Sequence, residues 1–105
     1  MQQDTSHQNF FPNALKLARK ACDVRQEAFD LVSSRSYVSN LERGLKHPTL
    51  NKVDELASVL GIHPLTLVAL SYLVNEDPAA QEALLANVSE ELTRVLARPV
   101  TLKPA

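Results

Sequence analysis

Apolar residues recur at the spacing of an α-helix along most of the chain, and no stretch alternates in the manner of a β-strand. The first helical pattern predicts a helix from about Asn13 to Cys22. Asp23 is a candidate N-cap, because Gln26 follows three residues later as in a capping box. These signals predict a short second helix from Val24 to about Leu31, and the two residues after it would form a turn.

The segment from Ser34 to Gly44, SRSYVSNLERG, predicts a third helix with two unlike faces, which Ser33 or Ser34 caps and Gly44 ends. Val38 and Leu41 lie three positions apart, so they share one face and can be buried. The outward side chains form hydrogen bonds, and arginine and asparagine pair well with guanine and adenine in the major groove of DNA. These candidate base-reading residues are Arg35, Ser36, Ser39 and Asn40.

Threonine and proline mark the starts of the remaining helices. Thr49 begins a fourth helix, Pro64 a fifth, and Pro78 a C-terminal helix or helix pair. Gly61 ends the fourth helix and Pro99 ends the last. The sequence therefore predicts an all-α fold of five helices with a C-terminal helical extension.

The 105 residues suffice for one domain with a modest core. We expect a flexible N-terminal arm over residues 1–12, a DNA-binding domain over 13–75, a C-terminal helix or helix pair over 76–98 and a tail over 99–105. The apolar runs are too short to span a membrane, and the polar N-terminus lacks the core of a signal peptide. We therefore expect a cytoplasmic protein with no membrane partner.

The net charge of -1 conceals a division of charge along the chain. Residues 13–52 carry eight basic and four acidic side chains, a net charge of +4. Residues 53–98 carry two basic and seven acidic side chains, a net charge of -5. The first part is thus suited to phosphate and the second is not.

The sequence contains no pattern typical of an enzyme. The single cysteine, Cys22, cannot form an internal disulfide and has no histidine or second cysteine at metal-ligand spacing. The three histidines lack a placed carboxylate or nucleophile, and the two glycines do not form a phosphate-binding loop. We expect no catalytic residue, no metal and no cofactor.

The segment from Leu15 to Leu70 resembles the Cro and phage-repressor family of helix-turn-helix domains, also called the xenobiotic-response-element family. Five separated matches carry the resemblance in order: Leu15 with Arg19, Gln26-Glu27, SRSYVSNLERG, Pro48-Thr49-Leu50, and Leu56-Ala57 with Leu60-Gly61-Ile62. The resemblance implies a five-helix repressor-like DNA-binding bundle. Its second and third helices would form the helix-turn-helix, with the third in the major groove.

The resemblance also implies roles for individual residues. Base reading falls to Arg35, Ser36 and Asn40, with Ser39 nearby. Phosphate contacts fall to Gln26, Ser34, Arg43, Lys46 and His47, with Arg25 as a further candidate. Tyr37 either packs against the turn or contacts a thymine methyl group or the DNA backbone. Arg19 would pair with Glu42 as a structural ion pair.

The chain departs from the family pattern in the turn of the helix-turn-helix. Between Gln26 and Tyr37 it is about two residues short, and Val32 and Ser33 replace the usual glycine. We therefore expect a shorter second helix or a tighter turn, which affects the angle of the third helix.

The C-terminal apolar stripe has two interpretations, completion of the monomer core or dimerisation. Because the family domain is nearly complete by Leu70, we favour a homodimer. The predicted dimerisation residues are Leu84, Leu85, Val88, Leu92, Val95 and Leu96.

The predicted function is a sequence-specific DNA-binding transcriptional regulator, a repressor acting as a dimer on a palindromic operator in double-stranded DNA. It could be a restriction-modification controller or an autoregulating phage protein. The alternative is an antitoxin or protein-interaction adaptor whose acidic C-terminal helices bind a protein partner. A discrete operator would favour the regulator, whereas a co-purifying partner would favour the adaptor.

Overall fold

The computed structural model describes residues 9–104, in which helices connected by short loops form the whole architecture. The helices are α1 (Phe11–Ala21), a 3-10 helix (Gln26–Leu31), α2 (Arg35–Glu42), α3 (Leu50–Leu60), α4 (Pro64–Leu73) and α5 (Pro78–Ala97). The prediction of an all-α fold is confirmed. Two compact units divide the chain, the first ending at Asn75 and the second beginning at Glu76.

Every helix of the first unit contributes to one apolar core. α1 packs against α2 and α4, α3 packs against α4, and the 3-10 helix packs against α2. Complete burial of one leucine, valine or phenylalanine side chain contributes about 1.5–3 kcal/mol to the stability of the fold. The buried contacts therefore fix the position of α2 on the bundle. The largest fully buried side chains are Leu15, Phe29, Val38, Leu41, Leu56 and Leu67.

The end of α1 differs from the prediction at Asp23. This residue has a φ of 56°, and its N–H donates to the carbonyl oxygen of Lys20 at 3.1 Å. The N–H of Val24 donates to the carbonyl oxygen of Arg19 at 2.8 Å, which completes a Schellman motif. The predicted capping box at Asp23 is therefore wrong, because a short polar side chain also tolerates the left-handed conformation that ends a helix.

Gly44 and Gly61 end α2 and α3 as the sequence predicts, each with a φ of 76°. After α2, the N–H of Leu45 returns to the carbonyl oxygen of Asn40 at 2.8 Å. A side chain at either glycine would be strained in this conformation. The C-terminal ends of α2 and α3 are thus defined by local sequence.

Two boundaries near the start of the bundle need correction. α1 begins at Phe11, which is buried, so the predicted arm of residues 1–12 is too long at its C-terminal end. The helix can include Pro12 because the N–H of a first-turn residue has no partner within the helix. Most of the predicted arm, residues 1–8, lies outside the described residues. The second helix is shorter than its predicted range, since it begins at Gln26 and is of the 3-10 form.

The second unit consists of one continuous helix of 20 residues, α5, rather than a helix pair. The Asp77 side chain caps it by accepting the N–H of Ala80 at 2.8 Å, and Pro78 occupies the first turn.

In the described part of the chain, no single helix is long and apolar enough to cross a membrane. α3 and α4 together pass that test by length and composition, with a bend of 101° between them.

Candidate nucleic-acid interface

The two faces of α2 differ in the way that the sequence predicts. Ser34 caps the helix, because its Oγ accepts the N–H of Tyr37 at 3.1 Å. Val38 and Leu41 are fully buried in the core. Of the candidate base-reading residues, Arg35 and Ser36 are exposed in the first turn, whereas Ser39 and Asn40 are half-buried. The first turn of α2 is therefore the most accessible part of this polar face.

Arg35 is paired with an acidic residue of the 3-10 helix. Its Nη2 donates to Oδ2 of Asp30 at 3.1 Å, and the two side chains remain 59% and 48% exposed. An ion pair this exposed contributes little, about 0.2–1 kcal/mol. Arginine has five N–H donors, so most of the guanidinium group of Arg35 stays available. Sequence analysis missed Asp30, which gave no signal beyond its charge.

The hydroxyl groups at the start of α2 lie close to each other. Oγ of Ser34 is 3.4 Å from Oγ of Ser36, and either oxygen can donate. Ser34 accepts the cap hydrogen bond with the same oxygen, while its O–H remains able to donate. Ser34, which the sequence predicts to contact phosphate, thus caps α2 through its oxygen and still has an O–H group that can donate.

A buried carboxylate ties α1 to the end of α2. Arg19 donates from Nε to Oε2 of Glu42 at 2.7 Å and from Nη2 to Oε1 at 3.0 Å. The side chains are only 17% and 5% exposed. This bidentate hydrogen bond raises the pKa of Arg19 above its ordinary value, which itself lies far above neutrality.

Gln26 points at this ion pair rather than outward. Its Nε2 donates to Oε1 of Glu42 at 3.0 Å, and the residue is half-buried. A buried carboxylate requires several donors, which explains why the amide turns inward. One N–H of the amide is thus engaged within the protein, where Gln26 links the 3-10 helix to α2, and the phosphate contact of Gln26 stays a prediction.

The turn of the helix-turn-helix is held by a residue that sequence analysis did not single out. Nζ of Lys52, in α3, donates to the carbonyl oxygen of Val32 at 2.8 Å. The same nitrogen lies 2.7 Å from Oε1 of Glu55 and 5.4 Å from the centroid of the Tyr37 ring. Tyr37 is half-buried against the core, which corresponds to the packing interpretation of this residue.

Unpaired basic side chains precede and follow the helix-turn-helix. Arg25 precedes the 3-10 helix, Arg43 follows α2, and Lys46 and His47 lie in the loop before α3. All four are exposed, and within residues 9–104 their side chains form no ion pair or hydrogen bond. Cations in such positions can contact phosphates on either side of a groove. Residues 9–104 contain no group of three His, Cys, Asp or Glu side chains that could hold a metal ion.

Comparisons with known proteins agree with this geometry. A family model described as helix-turn-helix matches residues 15–67, about half of the chain. Control protein C.BamHI of Bacillus amyloliquefaciens is 25% identical over 61 residues, which cover 58% of this chain and 75% of that protein. No solved structure matches the chain with statistical significance. The chain therefore belongs to the helix-turn-helix family, as a DNA-binding transcriptional regulator of the Cro and phage-repressor type.

Proposed function

We propose that this protein represses transcription as a homodimer that occupies a palindromic operator in double-stranded DNA. The observation that carries the proposal is the exposed polar first turn of α2, with an unpaired arginine before the helix-turn-helix and three unpaired basic residues after α2. Such a helix can enter the major groove while the flanking cations contact the phosphates beside it. The similarity to a protein named a control protein supports a regulatory role.

Base recognition would fall to the outward face of α2. Arg35 is long enough for a bidentate contact with guanine, and Asn40 can make the equivalent contact with adenine. Ser36 and Ser39 have shorter side chains and would add single hydrogen bonds at close approach. Because Val38 and Leu41 anchor the opposite face in the core, the direction of these side chains is set by packing.

Phosphate contacts would set the register of α2 in the groove. Arg25 precedes the helix-turn-helix, whereas Arg43, Lys46 and His47 follow it. Each cation that neutralises a phosphate releases a counterion and makes the affinity depend on salt, with a slope of about -0.9 per contact in a plot of log K against log salt concentration. Ser34 would add a hydroxyl donor.

Dimerisation would use α5. The stripe from Leu84 to Leu96 extends for about 18 Å at the helical rise. From Leu85 onward its large apolar side chains are between 40% and 80% exposed. A second copy of the same helix can cover such a face with two-fold symmetry. The two copies of α2 would then lie about 34 Å apart, which matches successive major grooves on one side of DNA.

Selection of bound sequences from random double-stranded DNA at two salt concentrations tests the proposal. We expect a palindromic motif and an affinity that falls steeply with salt. A double variant, Arg35→Ala with Asn40→Ala, keeps the buried face of α2 and should bind without a motif. Failure of the unmodified protein to enrich any motif would contradict the proposal, and a co-purifying protein partner would then favour the adaptor alternative.

A further inference from the structure

Lys52 directs its ammonium group at the turn that precedes α2. It donates to the carbonyl oxygen of Val32, lies beside the carboxylate of Glu55 and faces the ring of Tyr37. Lysine has three N–H donors and no acceptor, and each of these three neighbours attracts a cation. The side chain therefore bridges the first turn of α3 to both sides of the turn in the helix-turn-helix.

The contact with Val32 restrains the turn that sets the direction of α2. Val32 is the C-cap of the 3-10 helix, so its carbonyl oxygen accepts no hydrogen bond from a further turn of that helix. Only two residues separate it from Arg35, the first residue of α2. A hydrogen bond at this carbonyl restrains the backbone immediately before the side chains proposed to contact bases.

The turn is otherwise held by local contacts, in which the N–H groups of Val32 and Ser33 both donate to the carbonyl oxygen of Phe29 at 2.9 Å. It lacks a glycine, and the preceding helix has the 3-10 form, whose hydrogen bonds have poorer geometry than those of an α-helix. The backbone of Lys52 is held in place, because its amide N–H donates to Oγ1 of Thr49 at 3.1 Å in the cap of α3. The rigid start of α3 thus supports the turn through one side chain.

We propose that Lys52 is a positioning residue for base recognition, which holds the turn and the direction of Arg35 without contacting DNA. The inference rests on the proposed function, because it requires that α2 reads bases. Lys52 differs from Lys46 in this respect. The ammonium group of Lys52 already has a carboxylate and a carbonyl partner, whereas Lys46 is exposed and unpaired within residues 9–104.

Lys52→Met tests the inference, because it keeps the length of the side chain and removes the ammonium group. The specificity ratio is the dissociation constant for unrelated DNA divided by that for the selected site. We expect this ratio to fall about tenfold, in line with loss of one well-aligned base contact, while the salt slope stays unchanged. Lys46→Met is the matched control and should reduce the salt slope by about 0.9 for each protomer, with an unchanged ratio.

Hydrogen exchange of the free protein provides a readout that needs no DNA. We expect Lys52→Met to accelerate exchange of the α2 amide protons relative to those of α1, because α2 loses its restraint at the turn. Lys52→Gln, which retains a donor N–H, provides a second variant with a smaller effect of the same sign.

Each outcome decides the inference. An unchanged specificity ratio in folded Lys52→Met would overturn it, as would a reduced salt slope, which would make Lys52 a phosphate ligand. Failure of both variants to fold, judged by circular dichroism, would also overturn it, since Lys52 would then support the whole fold. If the unmodified protein selects no DNA sequence, the proposed function fails, and hydrogen exchange alone tests the restraint on α2.

Discussion

Arg35, the first residue of α2, shares a hydrogen bond of 3.1 Å with Asp30 at the end of the 3-10 helix. The two residues stand on either side of the turn in the helix-turn-helix, and both are exposed. The carboxylate would therefore compete with DNA for a guanidinium group that we expect to contact a base. Because solvent screens this pair, DNA can displace Asp30 at little cost.

Asp30→Asn should strengthen DNA binding. The variant removes a carboxylate that would lie near DNA and frees Arg35, so we expect the affinity for all sequences to rise about two- to fivefold, the value of an exposed ion pair. Fluorescence anisotropy with labelled duplexes measures this change. Glu82→Gln, in α5, makes the same change in net charge and should leave the affinity unaltered. A loss of affinity in Asp30→Asn would instead mean that Asp30 holds Arg35 in its binding geometry.

Lys46→Ala should weaken binding to all sequences alike. The lysine is exposed in the loop after α2, and we propose that it contacts a phosphate and not a base edge. We expect the slope of log affinity against log salt to become about 0.9 less steep for each protomer, with no change in the preferred sequence. Lys20→Ala, on α1, controls for loss of a positive charge. A changed base preference in Lys46→Ala would refute the assignment.

Glu42→Ala should destabilise the fold strongly. It leaves Arg19 and Gln26 without their shared carboxylate in a largely buried site, so we expect a loss of about 3–5 kcal/mol in the free energy of unfolding. Urea denaturation measures this loss. The double variant Arg19→Met with Glu42→Met removes both charges and should recover most of the stability. A loss below about 1 kcal/mol in Glu42→Ala would show that the pair contributes no more than a surface salt bridge.

Leu92→Asp should produce a monomer. The residue lies in the middle of the apolar stripe of α5 and is half exposed, so a charge there would be buried in the proposed dimer. Ala86→Asp places the same charge on the opposite face of the helix and should remain dimeric. Sedimentation equilibrium distinguishes the two masses. A monomer mass for the unmodified protein at high concentration would eliminate the dimer proposal.

The elements of this fold could be predicted because their signals are local. Periodic apolar residues, the caps at Ser34 and Thr49, and the glycines after α2 and α3 all act within one or two helical turns. Asp23 was misassigned because an aspartate suits both an N-cap and a left-handed helix end. Only the neighbouring backbone distinguishes these roles, and local sequence does not specify it.

The contacts around the candidate interface could be predicted only in part. The pairing of Arg19 with Glu42 was inferred from the family resemblance. The hydrogen bonds from Gln26 to Glu42 and from Lys52 to Val32 join residues 16 and 20 positions apart, and they depend on how the helices pack. These side chains offered only their charge or polarity in the sequence. Their partners therefore became evident only from the three-dimensional arrangement.

The central claim is that the first turn of α2 reads bases while the cations around it contact phosphates. The most direct test measures the affinity of Arg35→Ala for the selected operator and for every single base-pair substitution within it. We expect the preference to relax at one base pair in each half-site, at a cost of about 1–3 kcal/mol, and to persist at all other positions. An equal loss of affinity for all of these sequences would contradict the claim.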